Sequence, residues 1–130
     1  MLAITIDLDS EVPVYRQIAD EIRGLVAREQ LASGAELPSV RKLGQLVGVN
    51  QNPVAKAYRM LADEGLIDLR HGAKARVRLS ATGYRDSDDD AERRLDDVVS
   101  RLVLQGLSRR EIEQLFGTVL DRFFPTRNRK

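Results

Sequence analysis

The chain has 130 residues, 42% hydrophobic and 32% charged, with a formal net charge of +1, which is enough apolar material for one compact domain and an appendage. It has no cysteine and a single histidine, His71, which excludes disulfides, thiolate zinc sites and a histidine-based metal cluster. No apolar run reaches membrane-span length, and a start containing Asp7 and Asp9 lacks the basic region of a secretory signal, so a soluble, cytoplasmic protein with no cofactor and no membrane partner is expected.

Leu2, Ile4, Ile6 and Leu8 alternate with Ala3, Thr5 and Asp7, a period of two that predicts a short strand able to pack beside a sheet. Pro13 opens a helix with the stripe Val14, Ile18, Ile22, Leu25 and Val26, expected to end around Ser33-Gly34. Ser39, behind Pro38, can cap a short helix whose apolar face is Leu43, Leu46 and Val47. After a tight Gly48-Val49 turn, Asn50 can cap a second helix in which Val54, Ala57, Tyr58 and Leu61 recur at i, i+3, i+4 and i+7. Pro53 is tolerated in that first turn because the amide it lacks would have no intrahelical partner, and Gly65 supplies a left-handed terminator. From Leu66 the period becomes two: Ile67 and Leu69, a tip at His71 to Lys74, then Ala75, Val77 and Leu79. Two helices joined by a tight turn and followed by a Gly-tipped hairpin are the order of a winged helix-turn-helix, whose second helix enters a DNA groove.

Beyond Leu79 the composition turns polar, and residues 80–90 are predicted to be a linker. A helix with an acidic first turn follows, carrying the stripe Leu95, Val98, Val99, Leu102 and Val103. Gly106 interrupts it, Ser108 and Glu111 form a capping box, and a second helix carries Ile112, Leu115, Phe116, Val119, Leu120 and Phe123 before Pro125. The expected fold is mainly α with a small β-sheet: a winged domain over 1–79, the linker, and a C-terminal helical hairpin over 91–130. Two short helices cannot bury both stripes alone, so those eleven residues are candidates for dimerisation, with packing on the winged domain as the other outlet.

The near-neutral charge conceals segregation. Residues 37–79 hold eight basic against three acidic side chains, a net +5, whereas residues 84–97 hold three against seven, a net −4. A basic motif suits phosphate and an acidic stretch kept apart from it does not interfere, although basic runs are often simply solvated surface.

At the level of words in the sequence, L-P-S-V-R at 37–41, G-V-N at 48–50, V-A-K-A-Y at 54–58 and E-G-L-I at 64–67 resemble the DNA-binding domain of the GntR family of bacterial transcription factors. Ile4-Thr5-Ile6-Asp7 and Pro13-Val14-Tyr15-Arg16-Gln17-Ile18 are similar to its YtrA-like subgroup, in which a very short C-terminal region follows. The chain departs from that pattern at two places. It reads Asn50-Gln51-Asn52-Pro53 where the subgroup reads N-P-N-T, and its wing reads Arg70-His71-Gly72-Ala73-Lys74-Ala75-Arg76 in place of R-R-G-R-G-T-F.

The resemblance and the spacing together nominate DNA contacts. Ser39, Arg41 and Lys42 open the first motif helix; the Arg41 fork suits a phosphate or a guanine edge, or else a surface ion pair. Asn50, Gln51 and Asn52 start the recognition helix, where amide side chains pair best with adenine, though Asn50 can also serve as a cap. Lys56, one turn on, suits a phosphate or is a solvated lysine. Tyr58 shares the apolar face and is read as core. His71 and Gly72 resemble the family's groove-contacting wing tip or are an exposed turn, and Lys74 and Arg76 supply phosphate charge. The resemblance further implies a homodimeric repressor on a twofold-symmetric operator, double-stranded DNA being the partner and the small-molecule effector unknown. Any effector would bind at a dimer seam or between domains, because two helices cannot enclose a pocket of several hundred Å3. No nucleophile, base and metal constellation or phosphate-cradling loop suggests an enzyme; the rival reading is a winged-helix module that binds another protein, which salt-dependent binding to duplex DNA would separate.

Overall fold

A computed structural model describes residues 4–69, 74–78 and 88–125, grouped into two units, Met1–Arg85 and Asp86–Lys130. The first unit runs α1 (Val14–Ala27), α2 (Val40–Val47), α3 (Gln51–Asp63), β1 (Ile67–Asp68) and β2 (Arg76–Val77); the second holds α4 (Asp88–Leu104) and α5 (Arg109–Phe123). The mainly helical architecture with a two-stranded antiparallel wing is the expected one. Leu79 and the 80–87 part of the expected linker lie outside the described residues.

The core of the first unit follows the stripes. Ile18, Ala19 and Ile22 of α1, Leu43 of α2, Val54, Ala57, Tyr58 and Leu61 of α3, and Leu66, Ile67 and Ala75 of the wing are buried in one cluster. Burial of such side chains contributes roughly 1.5–3 kcal/mol each before entropy is charged against it. Across one edge of the cluster, Arg23 of α1 grips both carboxylate oxygens of Glu64 at 2.8 and 2.7 Å, tying α1 to the residue that ends α3.

Four expectations about this unit are corrected. Residues 4–7 form no strand: Ile4 and Ile6 are half-buried against the core, but the Asp7 amide donates to Gln17 Oε1 at 2.8 Å and the Asp7 carbonyl accepts from Gln17 Nε2 at 2.9 Å. A side chain thus satisfies backbone groups that a strand would have paired, and Leu8 is left 72% exposed. The place beside β2 is taken instead by residues 34–37, where the Leu37 amide donates to the Ala75 carbonyl at 2.8 Å and the Val77 amide to the Ala35 carbonyl at 2.9 Å. On α2 the inward arc is Val40, Leu43, Gly44 and Val47, a full i, i+3, i+4, i+7 set, which leaves Leu46 57% exposed.

The fourth correction concerns α1, which stops at Ala27, well short of Ser33-Gly34. Glu29 adopts φ 62°, and the Glu29 and Gln30 amides donate to the Val26 and Leu25 carbonyls, the hydrogen bonds of a left-handed helix terminator usually built on glycine. A side chain there crowds its own backbone, at a cost of about 1 kcal/mol. Glu29→Gly is therefore expected to raise stability by about 0.5–1 kcal/mol in urea unfolding, less the extra entropy of an unfolded glycine; a lower midpoint would contradict it.

In the second unit, Ser108 accepts from the Glu111 amide at 3.1 Å while Glu111 Oε1 accepts from the Ser108 amide at 2.8 Å, completing the expected capping box. Val99, Val103, Leu107, Ile112, Phe116 and Leu120 line an open groove of about 550 Å3 between α4 and α5. No residue of α5 is buried. Leu95, Val98, Val103, Leu115, Val119 and Leu120 are all exposed, Val103 at 56% and Leu120 at 53%, whereas Val99, Leu102, Ile112, Phe116 and Phe123 are half-buried.

Candidate nucleic-acid interface

The interface is built on the turn between α2 and α3. Ser39 caps α2 by accepting from the Lys42 amide at 3.1 Å, and Gly48, at φ 77°, ends it. Gly44 makes the crossing possible. A Cβ on Gly44 would lie 2.9 Å from the Val49 carbonyl oxygen, a backbone atom that cannot rotate away, so only glycine lets α2 approach the chain entering α3. Asn50 then accepts from the Asn52 amide at 3.3 Å, capping α3. Its cap role is thus observed, and the residue remains exposed at this corner.

Tyr58 fixes the two helices from inside. Its ring is 1% exposed and its hydroxyl donates to the Pro38 carbonyl at 2.7 Å, so the middle of α3 holds the segment that starts α2. Burial pushes the phenol well above its ordinary range, keeping the donor proton in place. Tyr58 is core, as its position on the apolar stripe predicts.

With Val54, Ala57, Tyr58 and Leu61 turned inward, the opposite arc of α3 is Asn52, Lys56 and Arg59, all exposed, and Gln51 is exposed as the first residue of the helix. Arg41 and Lys42 are exposed at the start of α2, and Arg78 is exposed beyond β2. Among the described residues Arg41, Lys42, Arg59 and Arg78 have no ion-pair partner, so their charge is available to an outside anion. Lys56 is otherwise engaged: its Nζ lies 4.1 Å from the centroid of the Tyr15 ring of α1, a contact worth about 0.5–1 kcal/mol at an exposed site. Arg76 donates to the Gly34 carbonyl at 3.1 Å and to Glu36 at 2.9 Å, and Lys74 Nζ is 3.9 Å from the same carboxylate. His71 and Gly72 lie outside the described residues.

Three residues belong in this picture that sequence reasoning did not nominate, the first being Arg78, which directly follows β2. Arg59 stands three residues after Lys56 and seven after Asn52, a helical spacing that places it on the same arc. Glu36 gave no local signal, because its partners come from a strand forty residues on.

The helix pair, its glycine turn and the two-stranded wing define a winged helix-turn-helix protein. Residues 14–77 match the family described as bacterial regulatory proteins, gntR family. The chain belongs to the GntR family, a family of transcription regulators rather than enzymes. It is 39% identical over 69 residues to the HTH-type transcriptional repressor YtrA of Bacillus subtilis, a match covering 53% of each chain. It is 30% identical over 104 residues to the HTH-type transcriptional regulator YhcF of the same organism, covering 79% of this chain and 86% of that one. A crystal structure of a transcriptional antiterminator from Listeria monocytogenes is similar at TM-score 0.81 and 27% identity, over 93% of this chain and 92% of the other. The chain thus spans about half the length of the YtrA relative that it matches. Among the described residues no helix is long and apolar enough to cross a membrane.

Proposed function

We propose that this chain is a sequence-specific, DNA-binding transcriptional regulator that acts in the cytoplasm as a homodimeric repressor on a twofold-symmetric operator. The observation that carries the reading is the exposed start and outward arc of α3, where Gln51 in the first turn and Asn52 and Arg59 on the arc stand clear of the core behind an Asn50 cap, flanked by the unpaired Arg41 and Lys42 of α2. An amide-rich helix start suits the hydrogen-bonding edges of the major groove, and cations on the neighbouring helix suit phosphate.

Dimerisation through the second unit is supported by its exposed stripes, since the groove between α4 and α5 leaves apolar surface that a second copy would cover. A C-terminal region of this kind would set the distance between two recognition helices, and hence the half-site spacing. Repression is inferred from the YtrA relative, which is a transcriptional repressor. Occupying a promoter needs no chemistry beyond binding, in keeping with a surface of groups that hold rather than react. An effector, if one acts, would fit the groove only where a second copy closes it.

The test is sequence selection from random duplex DNA followed by salt titration on the selected site. A palindromic site is expected, with a log-log salt slope of roughly −4 to −8 for a dimer. Gln51→Ala is expected to relax preference at one base pair in each half-site, at a cost of about 1–3 kcal/mol. Selection that returns no enriched sequence would reject the specific-binding reading, and an unchanged preference in Gln51→Ala would remove that residue from base recognition.

A further inference from the structure

The wing contains an acid placed where a DNA-binding surface should not want one. Glu36 and Arg76 form an isolated antiparallel bridge. On one side of the pair the Leu37 amide donates to Ala75, and on the other the Val77 amide donates to Ala35. The two residues therefore form a pair not hydrogen-bonded to each other, the arrangement in which facing side chains come closest. From that register Glu36 takes Arg76 Nη2 at 2.9 Å with one carboxylate oxygen and faces Lys74 Nζ at 3.9 Å with the other. The second Nη of Arg76 is turned onto the Gly34 carbonyl at 3.1 Å. On the far side of Arg76 the register partner is another acid, Asp68. The row across the wing thus reads acid, base, acid.

All three members of the Glu36, Arg76 and Lys74 group remain about half exposed or more, Glu36 at 46% and Lys74 at 65%, so solvent and external anions reach them. A structural explanation accounts poorly for this pairing. Exposed ion pairs add little to stability, and the strand contact is already held by three backbone hydrogen bonds. The pairing instead has its main effect on anything negative that approaches.

We propose that Glu36 is a brake on DNA affinity: it occupies Arg76 and Lys74 so that a phosphate must displace a carboxylate to use them. This rests on the DNA-binding reading above. Counterion release depends on the positive charge left free to meet phosphate, and a cation already neutralised by a neighbouring carboxylate contributes little. Loose, sequence-independent encounters would then meet a wing of low net charge. A fully docked complex, in which phosphates are held close to the wing, would compete the carboxylate away. Glu36 in this way sets the gap between random and specific binding.

The probe is a fluorescein-labelled 30-base-pair duplex of random sequence, followed by anisotropy from 50 to 300 mM KCl. Glu36→Gln, which keeps size and hydrogen bonding but removes the charge, is expected to bind about three- to tenfold more tightly at 0.1 M salt, with a slope steeper by about 1–2 per dimer. Glu36→Asp, keeping the charge, should stay near the parent. Arg76→Gln should weaken binding more in the Glu36→Gln background than alone, the coupling that a shared partner predicts. Thermal unfolding by circular dichroism of each variant, with Glu36→Ala as a second way to remove the charge, guards against misfolding. Unchanged or weaker binding in folded Glu36→Gln and Glu36→Ala overturns the proposal and makes Glu36 a positioning residue. Failure of both parent and variants to bind the duplex at 50 mM KCl is a different result: it removes the DNA-binding reading itself, and the brake with it.

Discussion

Gly44→Val is expected to lower stability by about 2–3 kcal/mol and to displace the start of α3. The added Cβ would stand 2.9 Å from the Val49 carbonyl oxygen and close to Gln51 Cα, so α2 and α3 must separate, and overpacking of this kind typically costs about 1–3 kcal/mol. A β-branched residue in a helix returns little of that through propensity. Gly44→Ala is the informative companion. Alanine carries the same clashing Cβ but gains about 1 kcal/mol of helix propensity over glycine, so it should still lose stability, though less than valine. Urea unfolding separates the two, and binding to the selected site should fall with both because residues 49–51 carry the readout corner. A Gly44→Val protein as stable as the parent would show that the close approach does not constrain the fold.

Phe116→Asp is expected to abolish self-association and, with it, tight operator binding. Phe116 lines the groove between α4 and α5 amid Val103, Ile112 and Leu120. The cation that lines the groove, Arg109, is already paired with Glu113 at 2.9 Å, so a carboxylate sealed there by a second copy would cost about 3 kcal/mol or more, which weakens a dimer by about a hundredfold or more. A monomer holds one half-site and loses the effective concentration that engages the second. Sedimentation of the variant, beside an operator titration, checks both steps. The first unit should melt as before, since its core uses none of the α5 side chains. A variant that stays dimeric moves the interface elsewhere, and a monomer with undiminished operator affinity ends the paired half-site mechanism.

The parts of this fold that rest on local chemistry were readable from the chain. Ser39, Asn50 and Ser108 cap where their neighbours predict, Gly48 ends α2, and the Val54 to Leu61 stripe is buried as its spacing requires. What escaped depended on partners distant in sequence. The alternation of residues 2–8 is that of a strand, yet Gln17 satisfies the Asp7 backbone from the first turn of α1. The end of α1 was misplaced because a glycine cue pointed to Gly34, while the left-handed position is filled by Glu29. Leu46 shares a three-and-four spacing with Leu43 and Val47, and only the close packing at Gly44 decides which arc turns inward. Residues 34–37 are too few to show any period, so the third member of the wing, and the acid it brings beside Arg76, emerged only from register. Arg59 is the opposite case: its spacing from Asn52 and Lys56 is legible in the chain and is enough to place it on their arc.

The bond from Tyr58 to the Pro38 carbonyl divides the labour of α3 between two independent sides. Apart from the Asn50 cap, the Lys56 contact with Tyr15 and the Arg23–Glu64 pair at its end, what orients the helix is buried or borrowed from a main-chain oxygen, an acceptor that any residue at position 38 would offer. Gln51, Asn52 and Arg59, which take part in none of these contacts, therefore carry almost none of the folding free energy. Gln51, Asn52 and Arg59 can be exchanged as a set without reopening the scaffold, which makes this helix an interchangeable reading head: new target sites are reachable by substitution at its exposed positions alone, whether by natural drift or by selection in the laboratory.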